Sequence, residues 1–133
     1  MATILLVGTD GALLEGLAQL LAGSGHAAPM VHTLAEGREL AALHPPLAVL
    51  VETGMALAEP DAIPAPMARG GAVLLYRTAD KPPTILPPTL QRLVLADLAL
   101  PLERHRLLAL IQRMAERAHT TGRRDMPPEH RPH

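Results

Sequence analysis

The sequence predicts an α/β fold in which helices cover both faces of a five-stranded parallel sheet. Short aliphatic runs, of the kind expected for strands buried on both faces, alternate with segments of helical periodicity. This alternation repeats in five rounds, and right-handed crossovers between parallel strands then produce a doubly wound sheet. The chain of 133 residues is long enough for one such domain and too short for two independent cores.

Strands are indicated where apolar residues are continuous. The predicted strands cover residues 4–7, 28–32, 47–51, 72–76 and 93–95. The second is the weakest, because Pro29 lacks an amide hydrogen and indicates a position at the edge of the sheet. The fifth strand is expected to break near Pro101, and Glu52 stands at the carboxyl end of the third strand.

Capping residues mark the first two helices. Asp10 is placed to accept a hydrogen bond from the first turn of a helix that a Gly-Ser-Gly segment ends. Thr33 and Glu36 have the spacing of a capping box, which predicts a second helix over residues 34–43. Both helices therefore begin shortly after a predicted strand.

Prolines shorten the third and fourth helices. Those between residues 53 and 70 leave room only for a short or broken third helix. Those within residues 80–88 exclude a regular helix there, so the fourth reduces to a short turn. The last helix is predicted from residue 102 to about residue 118, and the polar residues 119–133 are interpreted as a flexible tail. The domain is therefore assigned to residues 1–118.

Composition excludes several classes of function. There is no cysteine, so disulfides, thiolate metal sites and thiol catalysis are excluded. A net charge of −1 with scattered charges gives no basic surface for nucleic acid, and a single aromatic residue, Tyr76, argues against base stacking. No apolar segment is long enough to span a membrane and the N-terminus lacks a signal peptide, so we expect a cytoplasmic protein without membrane contact.

Candidate site residues follow from the predicted fold, because a doubly wound sheet binds ligands at the carboxyl ends of its strands. The residues predicted there are Gly8, Thr9, Asp10, Glu52, Thr53, Arg77, Thr78, Asp97 and Leu100. No glycine-rich nucleotide motif, serine–histidine–acid arrangement or helical histidine pair accompanies them, and the seven histidines are expected to be solvated. We therefore expect no catalytic residue, no metal ligand and no cofactor.

Four segments, taken in order, resemble a known family. They are residues 4–17, residues 47–55, the Arg77-Thr78-Ala79 segment and residues 100–111. In this order they resemble the receiver domain, the module of two-component response regulators and CheY-like proteins, over roughly residues 2–117. The resemblance implies a flavodoxin-like sheet with strand order 2-1-3-4-5, and a role in signal transduction or a phosphorelay.

Receiver domains accept a phosphoryl group on an aspartate at the end of the third strand. Two acidic residues after the first strand help to hold magnesium, and a lysine after the fifth strand contacts the phosphoryl oxygens. A hydroxyl after the fourth strand senses the product. Electrostatics and positioning carry this reaction, because phosphoryl transfer leaves little covalent work to the protein.

Position by position, the resemblance implies that this chain has lost most of these groups. The acidic pair falls on Gly8 and Thr9, and the acceptor aspartate falls on Glu52, which is one methylene longer. The lysine falls on Leu100, which carries no charge, and the position of a switching aromatic falls on Asp97. The positions that keep the family's residue type are the hydroxyl position Thr78 and the proline position Pro101.

Poor magnesium binding follows, because this ion needs several hard oxygen ligands. A rescue would need Asp10 to swing into the site and Lys81 to replace the missing cation. Glu52 could mimic a phosphorylated aspartate, but it carries about one negative charge against about 1.5 to 2 for a phosphoryl group. We therefore favour a carboxylate that serves solubility or capping, and interpret Thr78 as a strand-end hydroxyl bonded to the backbone.

The sequence thus predicts a non-phosphorylatable, receiver-like signalling module, not an enzyme, that acts by protein–protein interaction in a bacterial two-component or related pathway. One alternative is an unorthodox active receiver phosphorylated at Glu52, and another is a flavodoxin-like protein that binds a small ligand or a nucleotide. The expected partner is a signalling protein or a second copy of the chain. A homodimer would use the last helix and the fifth strand, whose face the proline-rich residues 80–88 modify.

Overall fold

Five parallel strands form the sheet in the computed structural model, which describes residues 2–64 and 71–124. The strands are β1 (Ile4–Val7), β2 (Met30–Val31), β3 (Ala48–Glu52), β4 (Ala72–Thr78) and β5 (Val94–Leu100). They lie in the order β2-β1-β3-β4-β5, and every pair of neighbours is parallel. The predicted doubly wound sheet and its order 2-1-3-4-5 are therefore confirmed.

Five helices connect and cover the strands. They are α1 (Gly11–Gly23), α2 (Leu34–Leu43), α3 (Thr53–Ala58), α4 (Pro88–Leu93) and α5 (Arg104–Arg124). The third and fourth helices have six residues each, which confirms the predicted shortening. Prolines explain both lengths, since Pro60 begins a separate 3-10 turn and Pro88 occupies the first turn of α4.

The two predicted helix caps are formed. The Asp10 carboxylate accepts a hydrogen bond from the Leu13 amide at 3.1 Å, and the Thr33 hydroxyl accepts one from the Glu36 amide at 3.1 Å. Each cap satisfies an amide that the helix itself leaves without a partner, and stabilises the fold by about 1 kcal/mol. The Asp10 carboxylate is thus engaged as the N-cap of α1.

Alternate strand residues build one hydrophobic core on each face of the sheet. Leu6, Leu50 and Leu74 lie in register across β1, β3 and β4, and all three are fully buried on the face that α1 and α5 cover. Leu5 and Val49 point to the other face and pack with residues of α2, α3 and α4. The sheet is therefore buried on both sides, as its continuous aliphatic strands predict.

Several predicted boundaries differ from the structure, most clearly those of the second strand and the last helix. Strand β2 is confined to Met30–Val31, because only Leu6 and Val7 of β1 pair with it. The sequence places the end of the last helix near Ala118, but α5 continues to Arg124, since the first proline after Ala118 is Pro127. The rest of the predicted tail, residues 125–133, lies outside the described residues.

His26 is an exception to the predicted solvation of the histidines. Its side chain is only 8% exposed, and its Nδ1 accepts a hydrogen bond from the Ala2 amide at 3.3 Å. Burial lowers the pKa of this imidazole, because the charged form would lose its hydration. The prediction failed here because the turn after α1 folds back beneath the first strand, where the His26 amide donates to the Leu21 carbonyl.

Within the described part of the chain, no helix combines the length and the apolar character that crossing a membrane requires.

Candidate functional site

A cavity of about 350 Å³ opens at the carboxyl ends of β1, β3 and β4. The chain leaves β1 for β2 on one side and later returns to β3 on the other, so the cavity lies at the topological switch of the sheet. Six of the predicted site residues line it, namely Thr9, Asp10, Glu52, Thr53, Arg77 and Thr78. The structure therefore brings most of the predicted site residues to one cavity.

Glu52 is held by Thr9. Its Oε2 accepts hydrogen bonds from the Thr9 amide at 3.0 Å and from the Thr9 hydroxyl at 2.9 Å. Because β1 and β3 are neighbours, these bonds join the acceptor position to the second position of the acidic pair. One oxygen of the Glu52 carboxylate is therefore occupied by an internal contact that threonine, but not aspartate, can donate from its side chain.

Tyr76 fills the space beside Gly8. A Cβ atom at Gly8 would overlap the Tyr76 hydroxyl oxygen, and it would lie 3.0 Å from Cζ of Tyr76 and 3.5 Å from Oε2 of Glu52. The Tyr76 side chain is 1% exposed and packs in the core between the sheet, α1 and α5. The phenol therefore stands where a side chain at the first acidic position would begin.

The Tyr76 hydroxyl is buried and has no hydrogen-bond partner among the described residues. Burial raises the pKa of this phenol well above its usual range, and the negative charges of Glu52 and Asp10 raise it further. The hydroxyl is consequently a neutral group at physiological pH. It offers the site a weak dipole where receiver domains place a carboxylate.

The hydroxyls of Thr53 and Thr78 have different partners. Thr53, the first residue of α3, is buried and donates to the Tyr76 carbonyl at 2.9 Å, which ties β3 to β4. Hydrogen bonding to the Thr78 side chain lowers the pKa of the exposed Asp80 carboxyl. Thr78 lines the cavity, and its interpretation as a strand-end hydroxyl bonded to the backbone stays a prediction.

Arg77 joins three parts of the site. Its guanidinium lies 3.3 Å from Oδ2 of Asp97 on β5, and its Nε–H donates to the Lys81 carbonyl at 3.3 Å. Arg77, Lys81 and the following Pro82 all line the cavity, so the guanidinium holds the loop after β4 against it. The sequence singled out Arg77 and Asp97 separately and did not pair them.

Leu100 and Pro101 lie away from the cavity. Leu100 is fully buried in the core beside Tyr76, so the position of the family's lysine has become part of the apolar packing. Pro101 is exposed and borders a separate apolar groove of about 410 Å³, whose lining includes Leu13, Leu17 and Arg104. Neither residue presents a group that could contact an anion in the cavity.

These side chains do not fit the magnesium ion that receiver domains use. Gly8 and Thr9 supply no carboxylate, the Tyr76 phenol fills the adjoining space, and Asp10 caps its own helix. Among residues 2–64 and 71–124, no three histidine, aspartate or glutamate side chains converge in a way that could hold a metal ion. Magnesium prefers several hard oxygen ligands in octahedral geometry, and this arrangement does not provide them.

Sequence reasoning missed two residues at the site. Tyr76 is predicted only as a strand residue, although its place two residues before Thr78 puts both side chains on one face, next to the predicted site. His32 is exposed, and its Nδ1–H donates to the Gly8 carbonyl at 3.0 Å. Only the pairing of β1 with β2 brings His32 to this place, so no local pattern could have found it.

Comparison with known proteins shows likeness in structure. The pseudo-receiver domain of the CikA protein is similar to this chain, with 21% identity and a TM-score of 0.59 over 86% of this chain and 98% of that one. A two-component response regulator from Clostridium difficile has 13% identity and a TM-score of 0.67, covering 88% of this chain and 98% of that one. No family model and no curated protein matches the sequence.

NtrX from Brucella abortus is also similar, with 18% identity and a TM-score of 0.72 over 92% of this chain, which spans only 28% of NtrX.

Together the sheet order and the cavity at its carboxyl edge define a doubly wound α/β protein with its site at the topological switch. The particular fold is that of the receiver domain, and its structural neighbours include a pseudo-receiver domain, which confirms the predicted resemblance.

Proposed function

We propose that this chain is a receiver-like signalling module that does not accept a phosphoryl group and acts by binding other proteins. The observation that carries the proposal is the Tyr76 phenol, which occupies the space beside Gly8 where receiver domains place a metal-binding carboxylate. In this proposal Glu52, Gly8, Thr9, Thr78, Leu100 and Pro101 keep the positions of the receiver site without its chemistry, and the chain is not an enzyme.

The physical reason lies in the charge that phosphoryl transfer develops. The transferred group spreads negative charge over three oxygens, and catalysis depends on cations positioned to neutralise that charge. Here the lysine position is the fully buried Leu100, and the acceptor carboxylate is bonded to Thr9. Lys81 lines the cavity from the opposite loop, which is the feature that favours the alternative of an unorthodox active receiver.

Incubation with acetyl phosphate and magnesium is the experiment that tests this proposal. We expect the intact mass of the protein to stay unchanged, because the site binds no divalent cation to offset the developing charge. A competent receiver domain in the same reaction serves as the positive control. A mass gain of one phosphoryl group that Glu52→Gln abolishes would overturn the proposal in favour of the active receiver, and loss of that gain in Lys81→Ala would identify the replacement cation.

The proposed partner is a signalling protein or a second copy of this chain. The face formed by β5 and the start of α5 supports a homodimer, since Leu95 of β5 is 55% exposed and Leu93, which ends α4 directly before this edge strand, is 40% exposed. The same proposed face carries a charged pair near the start of α5, where Arg106 and Glu103 lie 3.2 Å apart. A twofold contact of this kind would cover both leucines.

Self-association of the purified protein, measured by sedimentation equilibrium, tests the homodimer. Leu95→Glu is expected to weaken it about tenfold or more, because a carboxylate would be buried against its own copy in the dimer. Leu43→Glu is the matched control, since Leu43 is 74% exposed at the end of α2, beside the opposite edge of the sheet. Equal effects of the two substitutions would exclude this face as the interface.

A further inference from the structure

We infer that Gly8 and Tyr76 form a steric interlock that excludes a divalent cation independently of the missing acidic residues. The inference rests on the proposed function in that it concerns the same site. It adds that restoring the carboxylates alone does not restore a metal site. In this structure the place of the first acidic side chain is already occupied by the Tyr76 hydroxyl.

The geometry requires glycine at position 8. A Cβ atom there would overlap the Tyr76 hydroxyl oxygen and would lie only 3.0 Å from Cζ, which is closer than atoms of these types pack in protein interiors. The requirement is not conformational, because among the described residues only Gly25 adopts a positive φ. Glycine, whose side chain is a single hydrogen atom, therefore leaves the room that the phenol needs.

Neither residue can move aside easily. The Gly8 amide donates to the Val31 carbonyl at 3.2 Å, and the Gly8 carbonyl accepts from His32 at 3.0 Å. The Tyr76 carbonyl accepts the Thr53 hydroxyl at 2.9 Å, and the Tyr76 ring packs in a core cluster with Leu98 and Leu100. Both backbones are thus fixed by the sheet and its flanking residues, and relief would need a change of the Tyr76 side chain itself.

The interlock also has an electrostatic side. Burial and the nearby carboxylates raise the pKa of the phenol, so Tyr76 remains a neutral donor and cannot replace a carboxylate as a metal ligand. The residue therefore blocks the position sterically and leaves it without anionic charge.

A double-substitution series tests the steric part. Gly8→Ala is made in three backgrounds, the natural Tyr76, Tyr76→Phe and Tyr76→Leu, and the midpoint of urea unfolding is measured by far-ultraviolet circular dichroism. We expect a clear fall with Tyr76, a smaller fall with phenylalanine, whose ring carbon stays near the new methyl, and almost none with leucine. Gly16→Ala is the control, since a Cβ there would contact nothing within 4 Å. Equal falls in all three backgrounds would overturn the interlock.

A rebuilt site tests the exclusion of metal. The fourfold variant Gly8→Asp, Thr9→Asp, Glu52→Asp, Leu100→Lys and the same variant with Tyr76→Leu are titrated with magnesium chloride in a calorimeter. We expect the fivefold variant to bind magnesium about tenfold or more tightly than the fourfold variant, because its carboxylates can then reach the ion. Equal binding by both variants would overturn the inference, and so would a folded fivefold variant without binding.

The outcomes also separate this inference from the proposed function. Phosphorylation of the natural chain by acetyl phosphate would overturn the proposed function and leave the result of the double-substitution series intact. A failed interlock combined with an unchanged mass would leave the proposed function standing on the missing carboxylates alone. If the fourfold or fivefold variant does not fold, the double-substitution series still confirms or overturns the steric contact on which the inference depends.

Discussion

Tyr76→Ala is expected to lower the free energy of unfolding by about 3–5 kcal/mol, the cost of removing a large buried ring from a packed core. Tyr76→Phe is expected to leave the free energy unchanged or to raise it by up to about 1 kcal/mol, because the hydroxyl is buried without a partner among the described residues. Urea unfolding followed by far-ultraviolet circular dichroism measures both values. The contrast separates the packing of the ring from the contribution of its hydroxyl.

The free energy of unfolding of Tyr76→Phe is the more decisive of the two measurements. A loss of more than about 1 kcal/mol in Tyr76→Phe would show that the hydroxyl makes a stabilising hydrogen bond, and would contradict the description of Tyr76 as a space-filling residue. Leu74→Ala serves as the control for the alanine variant, since Leu74 is fully buried on the same face of β4. Similar losses at positions 74 and 76 would confirm that the ring belongs to the core.

Ultraviolet absorbance gives a second measurement of the same burial, because Tyr76 is the single tyrosine of the chain. The folded protein holds the phenolic proton more tightly than the unfolded chain, since burial raises the pKa of the phenol above its usual value of 10.0. This contribution to stability is fully present below pH 10 and is lost as the pH rises above it. The tyrosinate absorbance should therefore appear together with alkaline unfolding and not before it.

Most of the scaffold follows from local sequence. The aliphatic runs of β1 and β3 suit strands buried on both faces of a sheet, and Asp10 and Thr33 cap helices as their spacing predicts. Prolines predict the short α3 and α4 because their effect on helices is local. Strand ends also predict the site, since they bring Thr9, Glu52 and Thr78 together whatever lies between them.

The pairing of Arg77 with Asp97 could not be predicted, because it depends on an irregularity in the sheet. Val73 pairs with Val94, but the next residue, Leu74, pairs with Ala96, so one residue of β5 is skipped. Since side chains alternate between faces, this bulge turns every later residue of β5 to the opposite face. Without it, Asp97 would pair with Tyr76 and point into the core between the sheet, α1 and α5.

The same bulge explains the places of Leu100 and Asp97, the residues at the predicted positions of the lysine and the switching aromatic. After the bulge, Leu98 pairs with Tyr76 and Leu100 pairs with Thr78, which places both leucines in the core around the phenol. Asp97 is directed to the other face, where Arg77 can reach it. The positions that differ from the receiver pattern in the predicted correspondence lie at the ends of β1, β3 and β5, and not at a single place.

Arg77→Leu is expected to lower the free energy of unfolding by about 2 kcal/mol, because it leaves the Asp97 carboxylate without its cationic partner in a mostly buried place. The side chains of Arg77 and Asp97 are 16% and 23% exposed, and Oδ1 of Asp97 has no hydrogen-bond partner in the described structure. Asp97→Leu introduced into the Arg77→Leu variant should recover most of the loss, since no buried charge then remains. Urea unfolding of the two single variants and the double variant measures the coupling between these residues.

Arg106→Leu is the matched control for this pair. Arg106 lies 3.2 Å from Glu103, but the Arg106 side chain is 54% exposed, so water screens the pair and its loss should cost no more than about 1 kcal/mol. Arg77 also bonds the Lys81 carbonyl, so Arg77→Leu alone should accelerate amide hydrogen exchange in the loop that walls the cavity. Equal losses for the two arginine variants would show that the Arg77–Asp97 pair stabilises the fold no more than an exposed ion pair does. Unchanged hydrogen exchange in the loop would show that packing of the prolines alone keeps the loop against the cavity.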